Sequence, residues 1–385
     1  MKRVFLKSTC LCSLLLVSLC YACSADSPLT AEQARRKADA LREQWLDSVK
    51  TALADVYNNK EIRQGELTMP LAWTVYASEE ATNLALFISL HGGGGAPPRL
   101  NDQQWQNQQR LYHPRNAVYL CPRAPFNTWD LHFKPELDEF YERIIQMAQA
   151  WLHVNPDKVY LMGYSAGGDG VWRLGPRMAD HWAAASMMAG HPGDVALESL
   201  RNTPFMIWCG GNDAAYNRNE ECRKRIEEMD SLHRADPDGY IFEGHIVPDK
   251  GHWMDRVDTA AVSWMAQYTR NPYPKRVVWK QGDALHPHFY WLSVPKDELQ
   301  KGKEVRAEID GNTIRITRCD YTSLTFSLND ELLDLDQPVT VVYQDKTLFE
   351  GMLKRYVSTL RRTLYERGDP AYAFPAQLNV SLAGC

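Results

Sequence analysis

Apolar and amphipathic segments alternate through the first two thirds of the chain. Short runs that are mostly apolar are typical of strands in a sheet covered on both faces. They predict strands at Leu67 to Tyr76, Ala85 to Leu90, Ala117 to Cys121, Lys158 to Met162, Ala183 to Met188, Phe205 to Cys209 and Tyr240 to Val247. Segments with helical spacing predict helices at Glu136 to Leu152, after Ser165, at Asn219 to Leu232 and at Thr259 to Tyr268. This alternation indicates an α/β fold, a mostly parallel sheet with helices on both faces.

The segment from Thr30 to about Asn58 also has apolar residues at helical spacing. Thr30 precedes it and Gln33 stands three residues later, which is the spacing of a capping box. We expect a helix here that either lies on the main domain or separates that domain from a membrane.

The alternation of predicted strands and helices ends at the proline-containing segment Asn271 to Pro274. Beyond it, alternating apolar and polar residues predict strands within Lys303 to Thr317, Ser323 to Leu328 and Val339 to Tyr343, and a helix at Tyr356 to Glu366. The sequence therefore divides into a signal segment (1–23), an N-terminal helical segment (24–66), an α/β domain (67–272) and a smaller C-terminal β-rich domain (273–385).

The first residues resemble a bacterial secretory signal. Lys2 and Arg3 form a positive start, an apolar run extends from Leu11 to Leu19, and small residues follow. We expect cleavage near Cys23 or Ala25; in a lipoprotein, Cys23 becomes the lipid-anchored first residue. Either way the protein is extracytoplasmic: secreted, periplasmic or attached to the outer membrane.

Charge and cysteines narrow the classes of partner and cofactor. The formal net charge is -5 and the chain has no long basic run, which argues against a nucleic-acid partner. No cluster of His or Cys has the spacing of a metal site, so neither a metal nor a cofactor is expected. The cysteines beyond the signal are odd in number and their pairing is left open: Cys121, Cys209, Cys222, Cys319 and Cys385.

The strand ending in VYLMG runs into YSAGG and then into a helix. Gly163-x-Ser165-x-Gly167 in this context matches a nucleophile elbow, in which the serine sits on a tight strand-to-helix turn. The glycines are required because a side chain would clash in so tight a turn. Ser165 is therefore the candidate nucleophile, and a glycine-rich turn without chemistry is the alternative.

A serine nucleophile needs a base, and the base needs an orienting acid. In the chain order Ser, acid, His, the candidate acid is Asp213, which follows an apolar strand, with Asp194 as its rival. The candidate base is His252, which lies between the last strand and the closing helix. The other histidines considered for this role are His191, His233 and His245.

Four glycines follow a buried strand at His91 to Gly95. Backbone N–H groups that bind an oxyanion must come close to the substrate, and glycine permits that approach. We expect the oxyanion hole to use Gly93 and Gly94 together with Ala166, the residue after the nucleophile.

Three further residues are candidates for the substrate pocket. Trp129 and His132 lie in a loop predicted at the same edge of the sheet, and His191 lies on another. A structural role is the alternative for each.

The segments HGGGG, GYSAGG, GGND and GHWMD, in that order, resemble secreted α/β-hydrolases related to dienelactone hydrolase, polyhydroxybutyrate depolymerases and feruloyl esterases. They also resemble the catalytic domain of prolyl oligopeptidase-type peptidases, although no β-propeller precedes the domain. The resemblance covers roughly Leu67 to Tyr268. It implies an α/β-hydrolase fold, with Ser165, Asp213 and His252 as the catalytic triad.

Hydrolysis of carboxylic esters through an acyl-enzyme is the function expected from these residues. The substrate is expected to be a small-molecule ester or an ester linked to a polysaccharide. The alternatives are a serine peptidase of the prolyl oligopeptidase type and a non-catalytic carbohydrate-binding or scaffold protein with a vestigial site. The sequence leaves the oligomeric state open.

Overall fold

The computed structural model describes residues 26–383. The predicted signal segment, Cys23 and Cys385 lie outside the described residues. The α-helices are α1 (Ala31–Ala52), α2 (Ala54–Asn59), α3 (Pro98–Gln108), α4 (Asp138–Leu152), α5 (Ala166–Arg177), α6 (Arg218–Ala235), α7 (Ala260–Met265) and α8 (Val357–Arg367).

The strands of the first part of the chain are β1 (Glu61–Gln64), β2 (Leu67–Tyr76), β3 (Leu84–Leu90), β4 (Ala117–Pro122), β5 (Val154–Tyr164), β6 (Ala184–Met188), β7 (Phe205–Gly210) and β8 (Phe242–Val247). Those of the second part are β9 (Arg276–Lys280), β10 (His288–Phe289), β11 (Leu292–Ser293), β12 (Glu304–Asp310), β13 (Thr313–Cys319), β14 (Ser323–Leu328), β15 (Val339–Tyr343), β16 (Lys346–Gly351) and β17 (Ala376–Ser381).

The first eight strands form one sheet in the order β1-β2-β4-β3-β5-β6-β7-β8. β2 is antiparallel to β1 and β4, and the strands from β4 to β8 are parallel. This strand order, with β5 at the centre leading into α5, is that of the α/β-hydrolase fold. The fold class predicted from the sequence is confirmed.

Helices cover both faces of the sheet, as expected for a parallel sheet. One apolar core joins the sheet to α1, α4, α5 and α6. A second core, on the other face, includes the α7 residues Ala261, Trp264 and Met265. Because the central strands are buried on both sides, their sequences are mostly apolar, and these apolar runs could be recognised in the sequence.

The N-terminal helix lies on the main domain. Thr30 caps α1: its Oγ1 accepts a hydrogen bond from Gln33 N at 3.2 Å, and Gln33 Oε1 accepts one from Thr30 N at 3.0 Å. Leu41, Trp45 and Val49 are buried against the core shared with α4 and α8. None of the helices within residues 26–383 is both long and apolar enough to cross a membrane.

The C-terminal part contains two sheets. One has the order β10-β11-β14-β17, and the other has the order β16-β15-β13-β12-β9. Their inner faces share a separate apolar core that includes Trp291 and Phe326. However, Leu360 and Leu364 of α8 pack into the core of the first part. The last helix therefore joins the two parts.

Two elements of the first part were absent from the sequence-based prediction. β1 is short and polar, and only Ile62 is buried in it. α3 is rich in amides, with Asn101 and Gln108 as its buried residues. Neither element has the apolar periodicity from which a strand or a helix is predicted.

Candidate active site

Ser165 occupies a sharp turn between β5 and α5. Its φ of 58° and ψ of -122° lie outside the regions that ordinary residues adopt, which marks a strained turn. A Cβ at Gly163 would lie 2.4 Å from Gly167 O, and one at Gly167 would lie 2.1 Å from Leu90 O. The two glycines of the motif are therefore required by the close approach of α5 to β3 and β5.

Ser165, His252 and Asp213 form a continuous hydrogen-bonded chain. His252 Nε2 is 2.9 Å from Ser165 Oγ, and His252 Nδ1 is 2.7 Å from Asp213 Oδ2. A carboxylate can only accept, so Nδ1 carries the proton and Nε2 is free to accept the serine hydroxyl. The Asp213 side chain is 1% exposed, whereas that of His252 is 44% exposed. The acid is shielded from water and the base faces the solvent where a substrate arrives.

The loops that carry Asp213 and His252 are held together by their backbones. Gly211 N donates to Val247 O at 2.8 Å, and Asn212 N donates to Lys250 O at 2.8 Å. A Cβ at Gly210 would lie 2.0 Å from Gly251 O. Glycine at the end of β7 thus lets the acid loop approach the base loop closely enough for their side chains to meet.

Tyr164, the residue before Ser165, fixes the loop of His252. Its hydroxyl donates to His252 O at 2.6 Å and accepts from Met254 N at 3.2 Å. Its ring packs against the rings of His252 and Trp253 at centroid distances of 6.0 and 5.6 Å. One side chain therefore connects the nucleophile turn to the loop of the base.

Asn101 of α3 holds the glycine loop that follows β3. Its Oδ1 accepts from Gly94 N at 3.0 Å, and its Nδ2 donates to Gly94 O at 3.1 Å. Gly93 has a φ of 111°, and a Cβ there would lie 2.0 Å from Asn101 Oδ1. Only glycine fits at this position, because the loop must pass directly over the amide.

The three expected oxyanion donors differ in whether their N–H groups are already engaged. The Gly94 N–H is bonded to Asn101. The Gly93 N–H makes no hydrogen bond within residues 26–383. Ala166 is the first residue of α5, and N–H groups in the first turn of a helix have no partner within the helix. Gly93 and Ala166 therefore remain as N–H groups that a ligand can occupy.

His91 and His132 lie beneath the glycine loop as neutral rings. His91 Nε2 accepts from Ala124 N at 3.2 Å, which leaves Nδ1 to donate to Gly92 O at 2.6 Å. Burial lowers the pKa of His91 to about 4. His132 is completely buried, its Nε2 donates to His91 O at 2.8 Å, and burial lowers its pKa well below the ordinary value. The two rings support the loop from below.

The prediction that His132 lines the substrate pocket is wrong, because its side chain has no exposure and lies behind the loop. Trp129 is 63% exposed, and its backbone lies beside Gly94 and Gly95. His191 is half-buried, its N–H donates to Asp169 Oδ1 at 2.6 Å, and its Nδ1 accepts from Gly193 N at 3.0 Å. The structure thus brings Trp129 to the glycine loop and anchors His191 on α5.

The other residues considered for the roles of acid and base lie away from Ser165. Asp194 is exposed and pairs with Arg173 and Lys301, each at 2.7 Å. His233 Nδ1 is 2.8 Å from Gly239 O, and His245 stacks on Trp208 at a centroid distance of 4.1 Å. The structure does not bring any of them to Ser165.

A cavity of about 600 Å³ opens beside Ser165 and His252. Its walls include Leu100, Leu111 and Trp253. Within the described residues, no group of three or more His, Cys, Asp or Glu side chains is arranged to hold a metal ion. The site offers a nucleophile, a base and N–H donors next to a partly apolar cavity.

Three residues that shape this site were not singled out in the sequence. Tyr164 and Trp253 lie directly beside motif residues, so their positions were a usable signal. Asn101 lies in a polar segment with no recognisable pattern, and its role depends on a contact that only the folded chain makes.

Comparisons with known proteins yield matches among solved structures. No family model and no curated protein matches the chain. A thermostable esterase is 16% identical with a TM-score of 0.43, covering 55% of this chain and 62% of that chain. This chain therefore spans less than two thirds of that esterase.

Two other solved structures are also of enzymes that act on esters or polyesters. A ferulic acid esterase is 15% identical with a TM-score of 0.38, covering 54% of this chain and 95% of its own. The poly(3-hydroxybutyrate) depolymerase LpqC of Bordetella parapertussis is 15% identical with a TM-score of 0.38, covering 54% of this chain and 87% of its own. The strand order of this chain and the turn at Ser165 assign the α/β-hydrolase fold independently of these distant similarities.

Proposed function

We propose that the protein is a serine hydrolase that cleaves carboxylic esters. The observation that carries this proposal is the hydrogen-bonded chain from Ser165 through His252 to the buried Asp213. The neighbouring N–H groups of Gly93 and Ala166 are suited to bind an oxyanion. A nucleophile, a base, an orienting acid and oxyanion donors are the parts that acyl transfer requires.

In the acylation step, Ser165 Oγ attacks the ester carbonyl carbon while His252 Nε2 takes the hydroxyl proton. The carbonyl oxygen becomes an oxyanion bound by Gly93 and Ala166 N–H groups. Asp213 stabilises the imidazolium through its bond to Nδ1. The intermediate then breaks the bond to the alcohol oxygen, which leaves with the proton from Nε2, and the acyl group remains on Ser165.

In the deacylation step, His252 takes a proton from water as the water oxygen attacks the acyl carbon. The second tetrahedral intermediate breaks its bond to Ser165 Oγ, which recovers the proton from His252. The products are the carboxylic acid and free enzyme. The exposure of the His252 side chain supports access for this water.

The experiment that tests the proposal combines covalent labelling with turnover. We expect wild-type protein to react with a fluorophosphonate probe and to hydrolyse short p-nitrophenyl esters. Ser165→Ala should lose labelling and lower turnover by roughly a factor of 10⁶, as for removal of a triad serine. Wild-type protein that neither labels nor hydrolyses esters would indicate a non-catalytic binding or scaffold protein.

A peptidase of the prolyl oligopeptidase type would use the same residues. Assays with dipeptidyl amides and with esters of the same acyl group separate the two functions. Turnover of the amide as fast as the matched ester would replace the esterase proposal by the peptidase one.

We also propose that the enzyme acts outside the cytoplasm on a small-molecule ester or an ester linked to a polysaccharide. The N-terminal sequence supports the location, and the exposed Trp129 and Trp253 at the site support a bulky substrate. Mass spectrometry of the mature N-terminus in a bacterial host, with Cys23→Ala as the control for lipid attachment, tests the location. An intact Met1 would contradict it.

A further inference from the structure

The cavity beside Ser165 contains polar side chains that the proposed chemistry does not use. Gln104 and Asn107 of α3 and the adjacent Arg110 line it together with the apolar Leu100 and Leu111. Apart from the base His252, Arg110 is the charged side chain of this lining. The cavity therefore combines apolar walls, amide groups and one permanent positive charge.

Arg110 has no counter-ion among the described residues. Within residues 26–383 its guanidinium makes neither an ion pair nor a side-chain hydrogen bond, and the residue is exposed. Three other arginines near the site are engaged: Arg123 pairs with Asp102 at 2.8 Å, Arg218 lies 3.5 Å from Asp213, and Arg256 donates to Leu111 O at 2.6 Å. Arg110 is the guanidinium that lines the cavity itself, and it remains available to a ligand.

Among the residues that the structure describes, no acidic side chain lines the cavity to oppose an anion. Asp213 is shielded behind His252, with 1% of its side chain exposed. The protein as a whole carries a formal net charge of -5, so the positive charge at the cavity is a local feature. A planar guanidinium binds a carboxylate through two parallel hydrogen bonds, which favours this class of anion.

We propose that Arg110 binds a carboxylate carried by the substrate, so that the enzyme prefers esters with an anionic group on the acid or alcohol part. This inference rests on the proposed ester hydrolysis at Ser165. It makes Arg110 a specificity-determining residue rather than part of the triad. A cation just beyond α3 also interacts favourably with the carboxyl end of that helix. That effect stabilises the helix without distinguishing one substrate from another.

Two pairs of esters, each matched in size, test the proposal. The first pair is mono-p-nitrophenyl adipate and p-nitrophenyl hexanoate, with the charge on the acid part. The second pair is the butyrate ester of 4-hydroxybenzoate and that of its methyl ester, with the charge on the alcohol part. The measured quantity is the ratio of kcat/KM for the anionic ester to that for the neutral one.

We expect this ratio to exceed one for the wild type in at least one pair. Arg110→Gln should lower the ratio about threefold to tenfold, as for loss of a charge-assisted hydrogen bond near the surface. Arg110→Lys should restore part of the preference, and added salt should reduce the wild-type ratio. Arg115→Gln, which removes an exposed arginine outside the cavity, should leave the ratio unchanged.

Two results would overturn the role of Arg110. One is the same ratio of kcat/KM in wild type and Arg110→Gln, and the other is a ratio lowered as much by Arg115→Gln as by Arg110→Gln. Turnover of the neutral esters would then continue, and the proposed function would stand. Failure of the wild type to hydrolyse any of the four esters above the Ser165→Ala level would count against ester hydrolysis itself. Thermal unfolding of each variant distinguishes a specificity effect from loss of folding.

Discussion

Tyr164 connects the nucleophile to the base, although it takes part in no step of the proposed chemistry. Its hydroxyl is bonded to the backbone on both sides of Trp253, at His252 O and Met254 N. This hydroxyl group therefore adds a second attachment of the His252 loop, beside its backbone bonds to the loop of Asp213. Small errors in the position of a catalytic group reduce rates strongly, because reaction requires near-attack geometry.

We predict that Tyr164→Phe lowers kcat on a neutral ester on the order of tenfold with little change in KM. The ring and its packing remain, so the protein should stay folded. Tyr160→Phe is the matched control, since its hydroxyl donates to Tyr268 O at 2.8 Å. Equal kcat values for wild type and Tyr164→Phe would contradict a positioning role.

Asn101 is the residue on which the glycine loop depends. It is completely buried and bonds Gly94 through both the N–H and the carbonyl group. Its Nδ2 also donates to Asn127 Oδ1 at 2.9 Å. Removing it leaves these loop groups without partners and releases the neighbouring Gly93.

We predict that Asn101→Ala lowers kcat about 100-fold, comparable to loss of an oxyanion donor. Gln103→Ala, an exposed amide on the same helix, should have wild-type activity. If Asn101→Ala were folded and fully active, the loop would not need this support.

At the scale of elements, the N-terminal helix α1 contributes to the core rather than lying loosely on it. Trp45 is 3% exposed and belongs to the core shared with α4 and α8. Truncating a buried tryptophan removes apolar contacts and leaves a cavity.

We predict that Trp45→Ala lowers the free energy of unfolding by about 3–5 kcal/mol, measured by chemical denaturation. Trp129→Ala removes the same side chain from a position that is 63% exposed. That control should change stability by less than about 0.5 kcal/mol. Similar effects of the two substitutions would show that α1 contributes little to the fold.

The elements that the sequence predicted share one property. β3 and β7 are buried on both faces, so nearly all of their residues are apolar and the run is visible without any structure. α3 carries polar side chains that point to the site, so the periodicity that marks a helix is missing. The sequence therefore predicted the sheet better than the helix that holds the glycine loop.

The same distinction applies to the site. Ser165, Asp213 and His252 follow strands in a fixed order, so their meeting could be predicted from the order alone. His132 follows a strand as well, yet it faces inward, because its ring supports the carbonyl group of His91. The direction of a loop side chain depends on packing between segments that are distant in the chain. It therefore could not be predicted from the sequence pattern around His132.

At the scale of the whole molecule, several histidines are neutral in the fold. Burial lowers the pKa of His91 and of His288 to about 4, and for His288 the nearby Arg367 and Lys296 act in the same direction. The pKa of His181 is shifted in the opposite direction, because its partner Asp180 raises it. An unfolded histidine has a pKa of about 6.5.

We predict that the contribution of His288 to stability falls as the pH is lowered from about 6.5 to 4. In this window the unfolded state binds a proton at His288 that the folded state does not, so the free energy of unfolding rises with pH. His288→Gln should reduce the slope by about 1 kcal/mol per pH unit near pH 5. Denaturation curves at several pH values measure the slope, and an unchanged slope would exclude His288 as a contributor.

The start of the described chain is hydrogen-bonded to the segment at the start of α8. Leu29 N donates to Arg355 O at 2.9 Å, and Asp26 Oδ2 accepts from Ser358 N at 3.0 Å. During synthesis α1 emerges first, but α8 emerges only near the end, so this region of the core cannot close until almost the whole chain exists. For a protein that we propose is exported, late closure means that the α1 site in the core is still incomplete while most of the chain is being made.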